Sequence, residues 1–130
     1  MKKGLIISLM AALAPVLTGQ VAPLLSQGAL ASDLPEGGYR GFYTFGEEVE
    51  IFQPCDANQP LWVTGENAAL QPLRAGYSEA ATYPYEAIYV ELVGQPGDRI
   101  VTAGPPAYYD GHFRVDQVLQ IIPEQISCFE

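Results

Sequence analysis

Apolar and polar side chains alternate in several short segments of the chain, which is the period of a half-buried β-strand. Residues 39–45 alternate aromatic side chains with small or polar ones, and Gly41 among them permits a bend or bulge. Residues 49–53 repeat the pattern after the turn residues 46–48, so these two segments predict a hairpin. A third, shorter strand is predicted over 61–64.

The hydrophobic period changes over residues 66–81, where apolar residues recur at nearly helical spacing. Pro72 and Gly76 interrupt this pattern, so it predicts either one helix or two short turns. The apolar positions that carry the spacing are Ala68, Ala69, Leu70, Leu73 and Tyr77.

Two longer strands are predicted in the second half of the chain. The first covers 85–93 and is followed by a turn at 94–98, and the second covers 112–122 after a loop at 103–111. One face of the first strand carries Ile88, Val90 and Leu92, and one face of the second carries Phe113, Val115, Leu119 and Ile121.

The predicted element order is β-β-β-α-β-β. Five short strands in one flat sheet would leave much apolar surface exposed, and closing the sheet on itself removes its edges. The order therefore predicts a mainly β protein, a small five-stranded OB-like barrel with one helical segment. A small open α+β sheet or a β-sandwich is the alternative.

Residues 1–31 have the layout of a secretory signal peptide. Two lysines precede a long apolar run, and the small residues of Ala-Leu-Ala at 29–31 suit cleavage. An uncleaved membrane anchor is the alternative, but prolines and a glycine interrupt the run. We expect cleavage, a flexible leader at 32–38 and one OB-like domain at 39–130. The expected location is periplasmic or extracellular, with no stable membrane span after cleavage.

The chain is acidic, with 15 Asp and Glu against 6 Lys and Arg and a formal net charge of −9. Cleavage would remove both lysines and leave four arginines against the 15 acidic residues, a net charge of −11. Such a surface repels phosphate backbones, so we expect no nucleic-acid partner.

Cys55 and Cys128 are the only cysteines. An exported protein meets an oxidising compartment, so the sequence predicts a structural disulfide between them. A reactive thiol or a metal ligand is the alternative, although the chain has no Cys-x-x-Cys motif.

No catalytic constellation is recognisable, because no serine has a Gly-x-Ser-x-Gly setting and no lysine follows residue 31. His112 is the single histidine and lies two residues after Asp110. Two such residues are too few for a metal site, and Asp-Gly at this point is typical of a turn. Asp110 and His112 are therefore weak metal candidates, and we expect neither an enzyme nor a cofactor.

Eight tyrosines and one tryptophan make the chain rich in amphipathic aromatic rings. Such rings on a barrel surface can stack on sugars, bases or proline-rich segments, and the acidic charge leaves glycans or peptides. Packing inside the sheet is the other explanation for aromatic residues on strands. The tentative ligand-binding residues are Tyr43, Trp62, Tyr108 and Tyr109.

Five motifs cover much of the predicted domain: YRGFYTFGEEV at 39–49, FQPC at 52–55, LWV at 61–63, IYVELVG at 88–94 and YDG at 109–111. Together they resemble a bacterial envelope family of small OB-like domains, similar to the C-terminal OB domain of the copper-homeostasis and envelope-stress lipoprotein NlpE. The resemblance implies a barrel and an envelope location. The family's lipobox cysteine and Cys-x-x-Cys motif have no counterparts here, so lipid anchoring and copper handling are not implied for named residues.

These observations favour an exported, non-enzymatic binding or interaction module of the bacterial cell envelope. Its expected partner is an envelope protein, a peptide or a glycan. The alternative is a metal-responsive envelope protein related to copper homeostasis, holding a cation weakly through surface carboxylates and His112. Added divalent ions would raise the thermal stability of the metal-responsive protein alone.

Overall fold

The computed structural model describes residues 34–129, so the predicted signal peptide lies outside the described residues. Of these, residues 35–129 form one compact unit, which is mainly β. The predicted element order is confirmed. The elements are β1 (Gly38–Gly46), β2 (Val49–Pro54), β3 (Leu61–Gly65), α1 (Asn67–Ala80), β4 (Ile88–Asp98), a 3₁₀ helix (Pro105–Tyr108) and β5 (Gly111–Ile122).

The five strands form one sheet that closes into a ring in the order β1-β2-β3-β5-β4, with β4 pairing back to β1. Strands β3 and β5 are parallel, and the other neighbours are antiparallel. The predicted β1–β2 hairpin is confirmed. Gly41 lies where these two strands approach so closely that a Cβ atom would meet the main-chain oxygen of Gln53.

One hydrophobic core fills the inside of the ring and continues under α1. Alternate residues of each strand point inward, so the core collects side chains from all five strands. Its buried members are Tyr43, Phe52, Val63, Leu70, Leu73, Tyr77, Ile88, Val90, Leu92, Phe113 and Val115.

Helix α1 is a single helix, not the two short turns that the spacing of its apolar residues also allowed. It buries Leu70, Leu73 and Tyr77 on one side, at positions three and four residues apart. Pro72 is exposed, so its ring faces water and does not disturb the buried side of the helix. Packing of that buried side keeps the helix continuous, although Pro72 has no N–H to donate. Among the described residues, no helix has the length and apolar character needed to cross a membrane.

Strand β4 begins later and runs further than predicted. It starts at Ile88, three residues after Tyr85, whose backbone φ of 61° lies outside the extended region. The predicted turn at 94–98 is wrong, since these residues pair with β5. Gly94 permits this pairing, because a Cβ atom there would meet the main-chain oxygen of Arg114.

Strand β5 changes its inward face along its length. Phe113 and Val115 are buried in the core as predicted, but Val118 rather than Leu119 packs against it. The pairing with β4 shifts register twice, and each shift adds one residue to β5 and reverses the alternation beyond it. The residues left without a partner on β4 are Asp116 and Leu119.

Candidate functional site

Two aromatic side chains meet on the outer surface of the closed sheet, beside β3. Trp62 is paired with Ile51 on β2 and with His112 on β5, so these three residues share one row across the sheet. Their chain neighbours point into the core, and strand alternation therefore turns the row outward. Those buried neighbours are Phe52, Val63 and Phe113.

Tyr109 reaches Trp62 from the loop that joins β4 to β5. The two ring centroids are 5.7 Å apart and the ring planes are inclined by 37°. Both side chains are half-buried, so each keeps part of its surface in water. Tyr108 precedes Tyr109 at the end of the 3₁₀ helix and is 78% exposed. We call Trp62 and Tyr109 the ring pair.

Arg99 connects both ends of the β4–β5 loop, residues 99–110. Its Nη1 donates a hydrogen bond to the main-chain oxygen of Ala107 at 3.0 Å. Its Nη2 donates to Oδ1 of Asp110 at 2.8 Å, which also makes an ion pair. These two acceptors lie on either side of Tyr108 and Tyr109 in sequence.

The weak metal candidates Asp110 and His112 have separate partners. Asp110 accepts from Arg99, whereas Nδ1 of His112 lies 2.6 Å from the main-chain oxygen of Asp98. Because a carbonyl oxygen only accepts, Nδ1 is the donor in this contact. Within residues 34–129, no three His, Cys, Asp or Glu side chains group in a way that could hold a metal ion.

Tyr43 does not lie with the other three tentative ligand-binding residues. It is fully buried inside the closed sheet. Its ring centroid lies 5.4 Å from that of Tyr77, and the two ring planes are nearly perpendicular. Its hydroxyl donates to Oε2 of Glu50 at 2.8 Å. Burial, followed by the negative charge of Glu50, raises the pKa of Tyr43 far above its ordinary value. Its inward position on β1 therefore keeps it away from any ligand on the outer surface.

Sequence analysis missed a buried ion pair between β2 and α1. Arg74 donates to Glu50 twice, from Nε to Oε2 at 2.8 Å and from Nη2 to Oε1 at 2.6 Å. Its guanidinium also lies 5.2 Å from the ring centroid of Phe45. The hydrogen bond to Glu50 raises the pKa of Arg74 above its usual range. The available signal was a glutamate at an inward position of a strand.

A second buried carboxylate, Glu91, lies on β4. It accepts from the Tyr89 hydroxyl at 2.9 Å and from Gln120 Nε2 at 3.3 Å, and Arg40 approaches it to 3.8 Å. Burial, helped by Glu91, raises the pKa of Tyr89. With Arg114 against Asp116 at 3.8 Å, each of the four arginines in the described part of the chain pairs with a carboxylate.

The predicted disulfide is present between Cys55 and Cys128. Cys55 directly follows β2, and its N–H donates to the main-chain oxygen of Arg40 on β1. Cys128 lies in the short tail after β5, so the bond ties this tail to the β1–β2 hairpin. A disulfide is compatible with an oxidising, exported location.

An open pocket of about 220 Å³ lies between β5 and the start of α1. Its lining contains none of the predicted ligand-binding residues. The residues around it are Glu66, Ala68, Ala69, Arg114, Val115 and Asp116.

Comparison with known proteins adds no relative to this description. No protein-family model, curated protein or solved structure matches the chain.

Proposed function

We propose that the protein is an exported, non-enzymatic binding module of the bacterial envelope, built on an OB-like barrel. The strand order, and a helix between β3 and β4, support this assignment. OB-folds bind ligands on the face of their second and third strands and with the loops beside it. Trp62 on β3 and Tyr109 in the β4–β5 loop occupy equivalent positions. The motifs that resemble those of NlpE-like domains, together with the disulfide, support the envelope location.

The single observation that carries the proposal is the ring pair. Two large aromatic side chains from separate elements meet on the outer surface rather than in the core. Both side chains keep part of their surface in water, and aromatic ring faces can stack on the C–H face of a sugar or on another flat group. Tyr108, next to Tyr109 in sequence, adds a third ring that is exposed.

Charge argues against an anionic ligand at this site. All four described arginines are already paired with carboxylates, and the remaining Asp and Glu side chains leave the surface strongly acidic. A phosphate-bearing or uronic-acid ligand would be repelled. The ligand class that remains is neutral or cationic.

A neutral glycan fits the site better than an extended peptide. The closed ring of described strands leaves no free sheet edge on which a peptide could add a strand. Beside Tyr109, the exposed Asp110–Arg99 pair offers a carboxylate acceptor and guanidinium donors to sugar hydroxyls. Stacking by the ring pair and hydrogen bonding by this charged pair would then act on one sugar unit.

Trp62 is the only tryptophan, so its fluorescence reports on the site directly. Neutral oligosaccharides with β-linked glucose, N-acetylglucosamine or mannose units are titrated into the protein, and a proline-rich peptide is titrated separately. We expect a saturable change in Trp62 emission with a neutral oligosaccharide. By isothermal titration calorimetry, Trp62→Ala and Tyr109→Ala should each weaken binding about tenfold or more.

Tyr83→Ala is the matched control, because Tyr83 is 61% exposed and belongs to the segment between α1 and β4. The proposal fails if no oligosaccharide produces a saturable response, or if the control weakens binding as much as Tyr109→Ala. A response to the peptide alone would replace the glycan with a peptide ligand. A rise in melting temperature with Cu²⁺ or Zn²⁺ would favour the metal-responsive alternative.

A further inference from the structure

The β4–β5 loop needs an internal support to keep Tyr109 against Trp62. Twelve residues separate the end of β4 from the start of β5. The main-chain hydrogen bonds described within them run from Ala107 N–H to Gly104 and from Tyr109 N–H to Pro106. Both hydrogen bonds are local to the 3₁₀ helix, so neither fixes that helix relative to the strands. A loop of this length that is ordered only on binding would lose affinity to conformational entropy.

Arg99 supplies the missing connection. It directly follows Asp98, whose pairing with Gly111 fixes both ends of the loop on the sheet. From this anchored start, its guanidinium bonds to the Ala107 oxygen and to Asp110, one on each side of Tyr109 in sequence. One planar group thus fixes two points of the loop, a geometry that the single ammonium of lysine does not reproduce.

We propose that Arg99 is a positioning residue, whose two hydrogen bonds hold the β4–β5 loop so that Tyr109 lies against Trp62 before any ligand arrives. Besides the hydrogen bonds that the Asp110–Arg99 pair offers to a ligand, Arg99 then acts on ligand affinity through the position of Tyr109, so the exposure of Trp62, rather than the affinity, tests this role. The claim about affinity rests on the proposed function, whereas the claim about the ring pair does not.

Because Arg99 lies on the surface, its positioning role can be distinguished from a general contribution to stability. The Arg99 and Asp110 side chains are 48% and 65% exposed, so their ion pair adds little to the free energy of unfolding. Arg114 is a matched control, because it is 53% exposed, pairs with Asp116 and lies on neighbouring β5. Replacing either arginine by alanine removes the same charge.

The experiment measures acrylamide quenching of Trp62 in the full chain, together with the urea midpoint. Tyr109→Ala uncovers one side of the indole, and we expect its quenching constant to rise about twofold. Arg99→Ala should give a similar rise, and Arg99→Ala combined with Tyr109→Ala should add nothing further, because both changes remove the same contact. Arg114→Ala should match the wild type, and all urea midpoints should agree.

The proposal is overturned if Arg99→Ala quenches like the wild type, or if Tyr109→Ala itself changes nothing. If Arg99→Ala lowers the urea midpoint, Arg99→Lys and Asp110→Asn decide the question. Each removes part of the bonding and should give an intermediate quenching constant at an unchanged midpoint. Quenching equal to the wild type in both variants would overturn the proposal.

Oligosaccharide titration separates this proposal from the proposed function. If the wild type binds, Arg99→Ala should weaken binding about tenfold. If Arg99→Ala changes neither the affinity nor the quenching constant, the positioning role fails and the ligand assignment stands. If the wild type binds no oligosaccharide but Arg99→Ala still raises quenching, the ligand assignment fails and the positioning role stands.

Discussion

The ion pair between Glu50 and Arg74 makes a sharp prediction about stability. Glu50 points into the ring with its side chain 8% exposed, and Arg74 on α1 reaches it with two hydrogen bonds. Arg74→Met keeps the aliphatic stem of the side chain and removes the guanidinium. The Glu50 carboxylate would then remain buried, with the Tyr43 hydroxyl as its hydrogen-bond donor.

The expected loss follows from the cost of an uncompensated buried charge. Removing one partner of a buried ion pair typically costs about 3–5 kcal/mol. Arg74 is 32% exposed, so water already screens part of its charge. Tyr43 also continues to donate, and both effects lower the figure. We expect Arg74→Met to reduce the free energy of unfolding by about 2–3 kcal/mol.

Equilibrium urea unfolding at pH 7, followed by far-ultraviolet circular dichroism with the disulfide intact, measures this loss. Combining Arg74→Met with Glu50→Gln should recover at least about 1 kcal/mol, because no charge stays buried. Arg114→Met is the control, and its exposed pair should cost less than about 0.5 kcal/mol. A loss below about 1 kcal/mol for Arg74→Met, or a double variant that shows no recovery, would refute the reasoning.

Two further predictions concern pH and the disulfide. Burial raises the pKa of Tyr43, Tyr77 and Tyr89 above the ordinary 10.0, so the unfolded chain releases these protons first. The free energy of unfolding should therefore fall as the pH rises above 10, and urea midpoints from pH 8 to 11 should fall less steeply in Tyr43→Phe. An equal slope in both proteins would contradict this. Replacing Cys55 and Cys128 by alanine frees a chain segment with a sequence separation of 73, which should cost about 4 kcal/mol in urea unfolding. A loss below about 1 kcal/mol would contradict the chain-entropy argument.

Much of the fold could be predicted because the side-chain period of a strand or helix is local. The three N-terminal strands, the hairpin and the helical segment all follow from alternation and turn residues. The 94–98 segment misled the prediction, since its glycines and proline are typical of a turn. Its strand conformation depends on pairing with β5, and such long-range pairing leaves no local signal.

The face of β5 could not be predicted for a similar reason. Strict alternation groups Leu119 with Phe113 and Val115, but two register shifts bring Val118 to the core instead. A bulge depends on how the partner strand twists, and a single strand's sequence does not contain that information.

The candidate site was predictable residue by residue but not as an arrangement. The ring chemistry of Trp62 and Tyr109 makes each a candidate, but only folding brings them into contact with each other. The same chemistry makes Tyr43 a candidate, yet Tyr43 faces the core. Arg99 carried no motif, because its role depends on two acceptors that the loop presents after it has folded.

The disulfide has a consequence for proteolysis within the β4–β5 loop. Val101 is 89% exposed in the β4–β5 loop, which makes this loop an accessible cleavage point. A cut there separates Trp62 from Tyr109 along the chain, but Cys55 and Cys128 lie on opposite sides of it and keep the two pieces in one covalent molecule. The cleaved protein would migrate as one species on a non-reducing gel and as two after reduction. Its C-terminal piece would keep the pairing of β5 with both β3 and β4.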